Sequence, residues 1–159
     1  MAQLSWSLDQ PMLLGEREWV ARVTRALAHL AKALKQHAEA MESPDGALTR
    51  LIDPSELPFM SRTTEVAQLR KQHEELHCQT KELSSRVCKA LYMLPKRFHR
   101  SVPHLLLDEP QQYRAFKAMG TVARRARQLL CAVQEHRNHE DALLEAAPAP
   151  AASTTRQVG

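Results

Sequence analysis

Residues 73–77 read His-Glu-Glu-Leu-His. On a helix, two histidines four apart stand one turn above the other. Both imidazoles can then ligate one zinc ion while the glutamate between them takes a proton from a metal-bound water. Such a centre needs a third protein ligand, and the downstream helical candidates are His139 and Glu140.

The five residues resemble the H-E-x-x-H signature of the zincin metalloproteases. The resemblance implies a peptidase with His73 and His77 as ligands, Glu74 as base and the substrate laid along a sheet edge. It covers those five residues alone. Family helices favour an uncharged residue where Glu75 stands, His139 and Glu140 fall in no family motif, and no segment reads as a strand. A helical repeat accounts for the same residues: Leu76 belongs to an apolar seam, and Glu74 and Glu75 are solvent-side helix formers. The residues therefore predict no catalytic group, no metal and no cofactor. Zinc is expected well below one ion per chain, with adventitious binding by the histidine pair as the lesser alternative and a zinc metalloprotease as the least favoured one.

The elements that carry these residues are helices. Apolar residues make up 43% of the 159-residue chain, aromatics only 4%, and glycines number four. Few aromatics and few glycines disfavour a β-sandwich or barrel, whereas the abundant Ala, Leu, Glu, Gln, Lys and Arg are good helix formers. Val20, Val23, Leu27, Leu30, Leu34, His37 and Met41 alternate in steps of three and four, which predicts a helix over 16–42 ended by Ser43-Pro44-Asp45-Gly46. Val66, Leu69, His73, Leu76, Thr80, Leu83 and Val87 continue to Ala90 and Leu94 with a strict seven-residue period. They mark a second helix over 63–94 and a coiled-coil seam with polar residues at His73 and Thr80. Asp108 and Gln111 have capping-box spacing ahead of a third helix, whose stripe is Phe116, Met119, Ala123, Ala126, Leu130 and Val133. Arg137 and Glu140 read as a break in that stripe, with a weak resumption at Leu143 and Leu144.

Domain organisation follows. Residues 1–15 are expected to be irregular, 16–145 to form one helical domain, and the low-complexity 146–159 to be disordered. Residues 47–60 suit a helical turn and an apolar connection. Residues 1–14 contain Asp9 and Pro11 and no basic start, unlike a signal peptide, and no uncharged apolar run approaches the roughly 20 residues that span a bilayer. Three cysteines without a C-x-x-C pair suggest reduced thiols and an intracellular setting.

Charge is unevenly placed. Residues 83–134 hold ten basic side chains against Asp108 and Glu109, a net of +8, while the remainder carries −4, giving the formal +4. Arg97, Arg100, Arg124, Arg125 and Arg127 are the candidate basic surface, suited to an acidic protein partner, with nucleic acid less favoured because few aromatics interleave them. The expected fold is all-α, an elongated three-helix bundle with coiled-coil character. The expected role is a non-catalytic adaptor or small subunit of a cytoplasmic, cytoskeletal or centrosomal-type assembly that uses the Val66–Val87 seam to meet other helical chains. A nuclear subunit touching DNA or RNA is the alternative.

Overall fold

The computed structural model describes residues 1–9, 15–52, 59–93 and 109–146, and every regular element among them is helical. The order is α1 (Ala2–Asp9), α2 (Glu16–Glu42), α3 (Ala47–Arg50), α4 (Phe59–Met93) and α5 (Glu109–Glu145). The long helices pack as α2 on α4 and α4 on α5, and α1 lies against both α2 and α5. At 1.5 Å per residue the 37 residues of α5 span about 55 Å. No helix among the described residues is long and apolar enough to cross a membrane.

Each long helix exists because one stripe of it can be buried. On α2 that stripe includes Val20, Val23, Leu27, Leu30 and Leu34. On α4 it is Val66, Leu69, His73, Leu76, Thr80, Leu83, Val87 and Ala90, all buried, and the chain's own helices cover it. On α5 the buried positions are Met119, Val122, Ala126, Leu129, Val133, His136, Glu140 and Leu143. These also alternate in steps of three and four. Val122 and Leu129 therefore take the inward places expected for Ala123 and Leu130, which are only half-buried. Glu140 does not break the stripe. It occupies a seam position, and α5 runs unbroken through it to Glu145.

Residues 1–15 contain a helix where the sequence suggested irregular chain. Leu4 and Leu8, one turn apart, are buried with Trp19 in the main core, and Arg22 lies over the Trp6 ring at 5.8 Å. A single i,i+4 pair in eight residues is too short a pattern to stand out in sequence; packing against α2 and α5 stabilises this helix. Gly15 begins α2 with φ of 98°, a left-handed conformation that favours glycine. Gly46 closes the turn after α2, where its N–H donates to the Ser43 carbonyl and a Cβ would collide with the Met41 backbone. The third-helix cap at Asp108, the 53–58 connection and the tail from 147 lie outside the described residues.

The apolar core has two parts. One holds Leu34, Leu76, Leu83, Val133 and the residues toward α1; the other holds Leu48, Leu51, Val66, Leu69 and Leu143, with Met41, Ile52 and Leu144 against it. Along each long helix the division falls at polar seam residues: His37 between Leu34 and Met41, His73 between Leu76 and Leu69, and His136 with Glu140 between Val133 and Leu143. These orders also show that α4 runs opposite to both α2 and α5.

Truncating a buried leucine typically costs about 2–5 kcal/mol, against about 5–15 kcal/mol of total stability for a domain of this size. Leu76→Ala combined with Leu83→Ala is expected to lower the thermal midpoint severely or prevent folding. Thr80 is fully buried and its hydroxyl donates to the Leu76 carbonyl of its own helix at 2.7 Å. Thr80→Val is therefore expected to raise the midpoint, because it removes a polar group that bonds nothing outside α4. Thermal melting of both variants measures the contrast.

Candidate functional site

The polar division of the core is a single cluster. Glu140 and His136 stand four apart on α5 and so share one helical face. His73 enters from the middle of α4 and His37 from the last third of α2. His37 Nε2–H donates to Glu140 Oε2 at 2.7 Å, and His73 Nε2 meets Glu140 Oε1 at 3.0 Å. His136 Nε2 lies 3.3 Å from that same Oε1 but is not aligned for a hydrogen bond. The three rings stand edge to face, with centroids 4.6–6.3 Å apart. One carboxylate from α5 is thus ringed by imidazoles from three helices.

The far sides of two rings are tethered as well. His73 Nδ1–H donates to Glu42 Oε1 at 2.6 Å, and His136 Nδ1–H donates to Gln72 Oε1 at 2.9 Å. Glu42 is the last residue of α2, so His73 links α2 to α5 through both of its nitrogens. The side chains of His73, His136 and Glu140 are each no more than 5% exposed, while that of His37 is 41% exposed and faces the open side.

Burial alone would push the Glu140 carboxyl up toward its neutral form. Attraction to His136, His73 and His37 outweighs that penalty and holds it well below the usual carboxylate range. Burial likewise disfavours a charged His73, but its bonds to Glu140 and Glu42 and their negative charges win and raise its pKa. These neighbours favour an anionic Glu140 at the centre of the cluster.

Chemically the group offers three imidazole nitrogens and one carboxylate, each with a ligand atom within 4.8 Å of the others. That donor set can hold a transition metal. His77 and Glu74 take no part: His77 is half-buried with an unpartnered Nδ1, and Glu74 is exposed. The helical spacing at 73–77 therefore does not converge as the zincin resemblance implies. Of the two downstream ligand candidates, Glu140 joins His73 and His139 does not.

The remaining site residues fall in two places. Val66, Leu69, Leu76, Thr80, Leu83 and Val87 are interior with His73. Arg124, Arg125 and Arg127 are exposed; Arg125 lies 3.5 Å from Glu82 and Arg127 lies 3.6 Å from Asp9. Arg97 and Arg100 lie outside the described residues. Sequence reasoning missed the joining of His37, His136 and Glu140. Its available signal was the step of four between His136 and Glu140, both on the three-four pattern that leads to Leu143.

Compared with models of known protein families, with curated proteins and with solved structures, the chain matches none.

Removing one partner of a buried ionic network leaves the others unpaired and typically costs about 3–5 kcal/mol. Glu140→Ala is expected to destabilise the fold by an amount in that range. Asp141→Ala, at an exposed neighbouring position, should stay within about 0.5 kcal/mol of the parent. Denaturant unfolding of both variants provides the comparison.

Proposed function

We propose that this protein is a non-catalytic helical adaptor or small subunit of a larger intracellular protein assembly, cytoskeletal or centrosomal in type. In this reading α2, α4 and α5 form an elongated three-helix bundle with coiled-coil packing. The seven-residue repeat of buried positions on α4 supports that geometry, as do the matching three-four steps on α5.

The observation that carries the functional reading is the surface of the α4–α5 pair. Gln72 meets His136 and Glu82 meets Arg125, so the two helices are antiparallel, and the end of α4 lies beside the start of α5. Tyr92 and Tyr113, which flank the basic 95–107 stretch in sequence, are 91% and 68% exposed. Further along the same pair an open groove of about 600 Å³ is lined by Gln79, Glu82, Arg124, Arg125 and Gln128. Exposed tyrosine and arginine are the residue types enriched where protein interfaces concentrate their binding energy. The positive charge of Arg124, Arg125 and Arg127 favours a partner with an acidic surface. The Val66–Val87 seam serves such a partner indirectly, by holding α4 and α5 together.

Reversing Arg124, Arg125 and Arg127 together to glutamate is expected to leave the helical circular dichroism unchanged, because all three side chains are exposed. The same change should weaken capture of the partner that co-purifies with the parent chain by tenfold or more. Loss of the folded state would show these arginines to be structural. Binding to the partner should weaken only moderately between low and physiological salt. A steep logarithmic salt slope, with nucleic acid as the captured species, would instead support contact with DNA or RNA through the basic half.

A further inference from the structure

We infer that His37, His73, His136 and Glu140 form a structural zinc site that pins α2, α4 and α5 together. The inference goes beyond the adaptor reading and does not depend on it: a chain that binds no partner could still hold the ion.

A carboxylate oxygen accepts, so the 2.6 Å contact with Glu42 Oε1 places a proton on His73 Nδ1. Gln72 presents its amide oxygen to His136, so His136 Nδ1 carries a proton as well. With Nδ1 occupied, the neutral form of each ring turns a bare Nε2 lone pair toward Glu140 Oε1. These are the contacts at 3.0 and 3.3 Å, and the carboxylate oxygen there also offers only lone pairs. That opposition needs relief. One cation can accept all the lone pairs at once, since the ligand atoms lie within 4.8 Å of one another.

His136 favours the cation. Its side chain is 5% exposed, and its Nε2 points into the cluster without an aligned hydrogen-bond partner. A buried polar nitrogen without a partner is uncommon unless it serves an ion or a ligand. The tethers fit the same purpose. Metal-bound histidines characteristically donate their other ring N–H to a carboxylate or carbonyl oxygen, which fixes both tautomer and ring orientation. Glu42 and Gln72 supply those oxygens.

The donor set selects the metal. Imidazole nitrogens with one carboxylate suit zinc, and four protein ligands with no place kept for water mark a structural rather than a catalytic site. Tetrahedral zinc with bonds of about 2.0–2.2 Å needs donor atoms roughly 3.3 Å apart. All four ligand atoms here lie within 4.8 Å of one another, and the contacts to Glu140 already span 2.7–3.3 Å. Small side-chain rotations complete the geometry. His37, on the open side, provides the entry path.

The test uses the full chain without a histidine tag, stripped with a chelator and then titrated with zinc chloride. One zinc per chain is expected to survive dialysis, with a rise in thermal midpoint. Changing exposed Cys78, Cys88 and Cys131 together to serine should leave that stoichiometry intact. His136→Ala should abolish retention. Because that variant can fail to fold, Glu42→Ala is paired with it; it keeps all four ligands, removes the oxygen that orients His73, and should weaken zinc affinity 10–100-fold. Less than about a tenth of an equivalent bound by the parent chain would overturn the proposal. So would retention of zinc by a folded His136→Ala variant, or its loss in the triple cysteine variant.

Discussion

Three long amphipathic helices can slide along one another in steps of a heptad at little apolar cost, because one buried leucine resembles the next. A carboxylate buried at one level of the core removes that freedom. Glu140 is buried deeply enough that its charge must be met by neighbours, and the groups that meet it come from α2, α4 and α5. A seven-residue slip that set Val133 opposite His73 would set Glu140 opposite Val66, leaving imidazole and carboxylate each against an apolar residue. The cost of an unpaired buried charge is several kcal/mol, larger than the gain from any single apolar contact. Buried ionic groups add little to net stability compared with apolar packing, so the contribution of this layer lies in alignment. A polar residue in a helical seam fixes register in this way.

The same layer divides the apolar core into two parts of different character. The larger part, toward α1 and Trp19, includes the buried leucines and valines of all three long helices. The smaller part is closed by α3, whose Leu48 is fully buried, together with Leu51. Glu42 connects the two functions: it ends α2 just before the Ser43–Gly46 turn and also tethers His73. The turn that delivers α3 to the end of the core therefore sets the position of the acid that orients the central histidine. Local chain geometry and the polar layer reinforce each other.

The helices were legible in the sequence because apolar periodicity is a local property. The three-four steps and the turn at Ser43–Gly46 match α2 at both ends, whereas α4 begins at Phe59, four residues before the start that its step of seven suggests. The site was not legible for the same reason. His73 was recognised as a polar member of the α4 seam, but its partners lie 31 and 67 residues away, and nothing local connects them. In sequence Glu140 reads as a break in the α5 stripe, since an acid on the inward face contradicts the rule that defines the stripe. Only the opposing histidines make that position tolerable. The His73–His77 spacing pairs two residues on one helix, whereas the side chains that meet His73 come from α2 and α5, about which a motif within one helix says nothing. Helix α1 escaped notice because its pattern is one turn long and its stability comes from packing on α2 and α5.

The central claim is that Glu140 and the histidines act as one unit that aligns the helices. A double-mutant cycle over His73→Ala and Glu140→Ala, followed by denaturant unfolding in the presence of a chelator, measures their coupling directly. The account predicts that the two losses are far from additive, with a coupling of about 1–3 kcal/mol, as expected for residues in one buried network. Additivity within about 0.5 kcal/mol would show that the two side chains are buried independently and that the helices find their register without them.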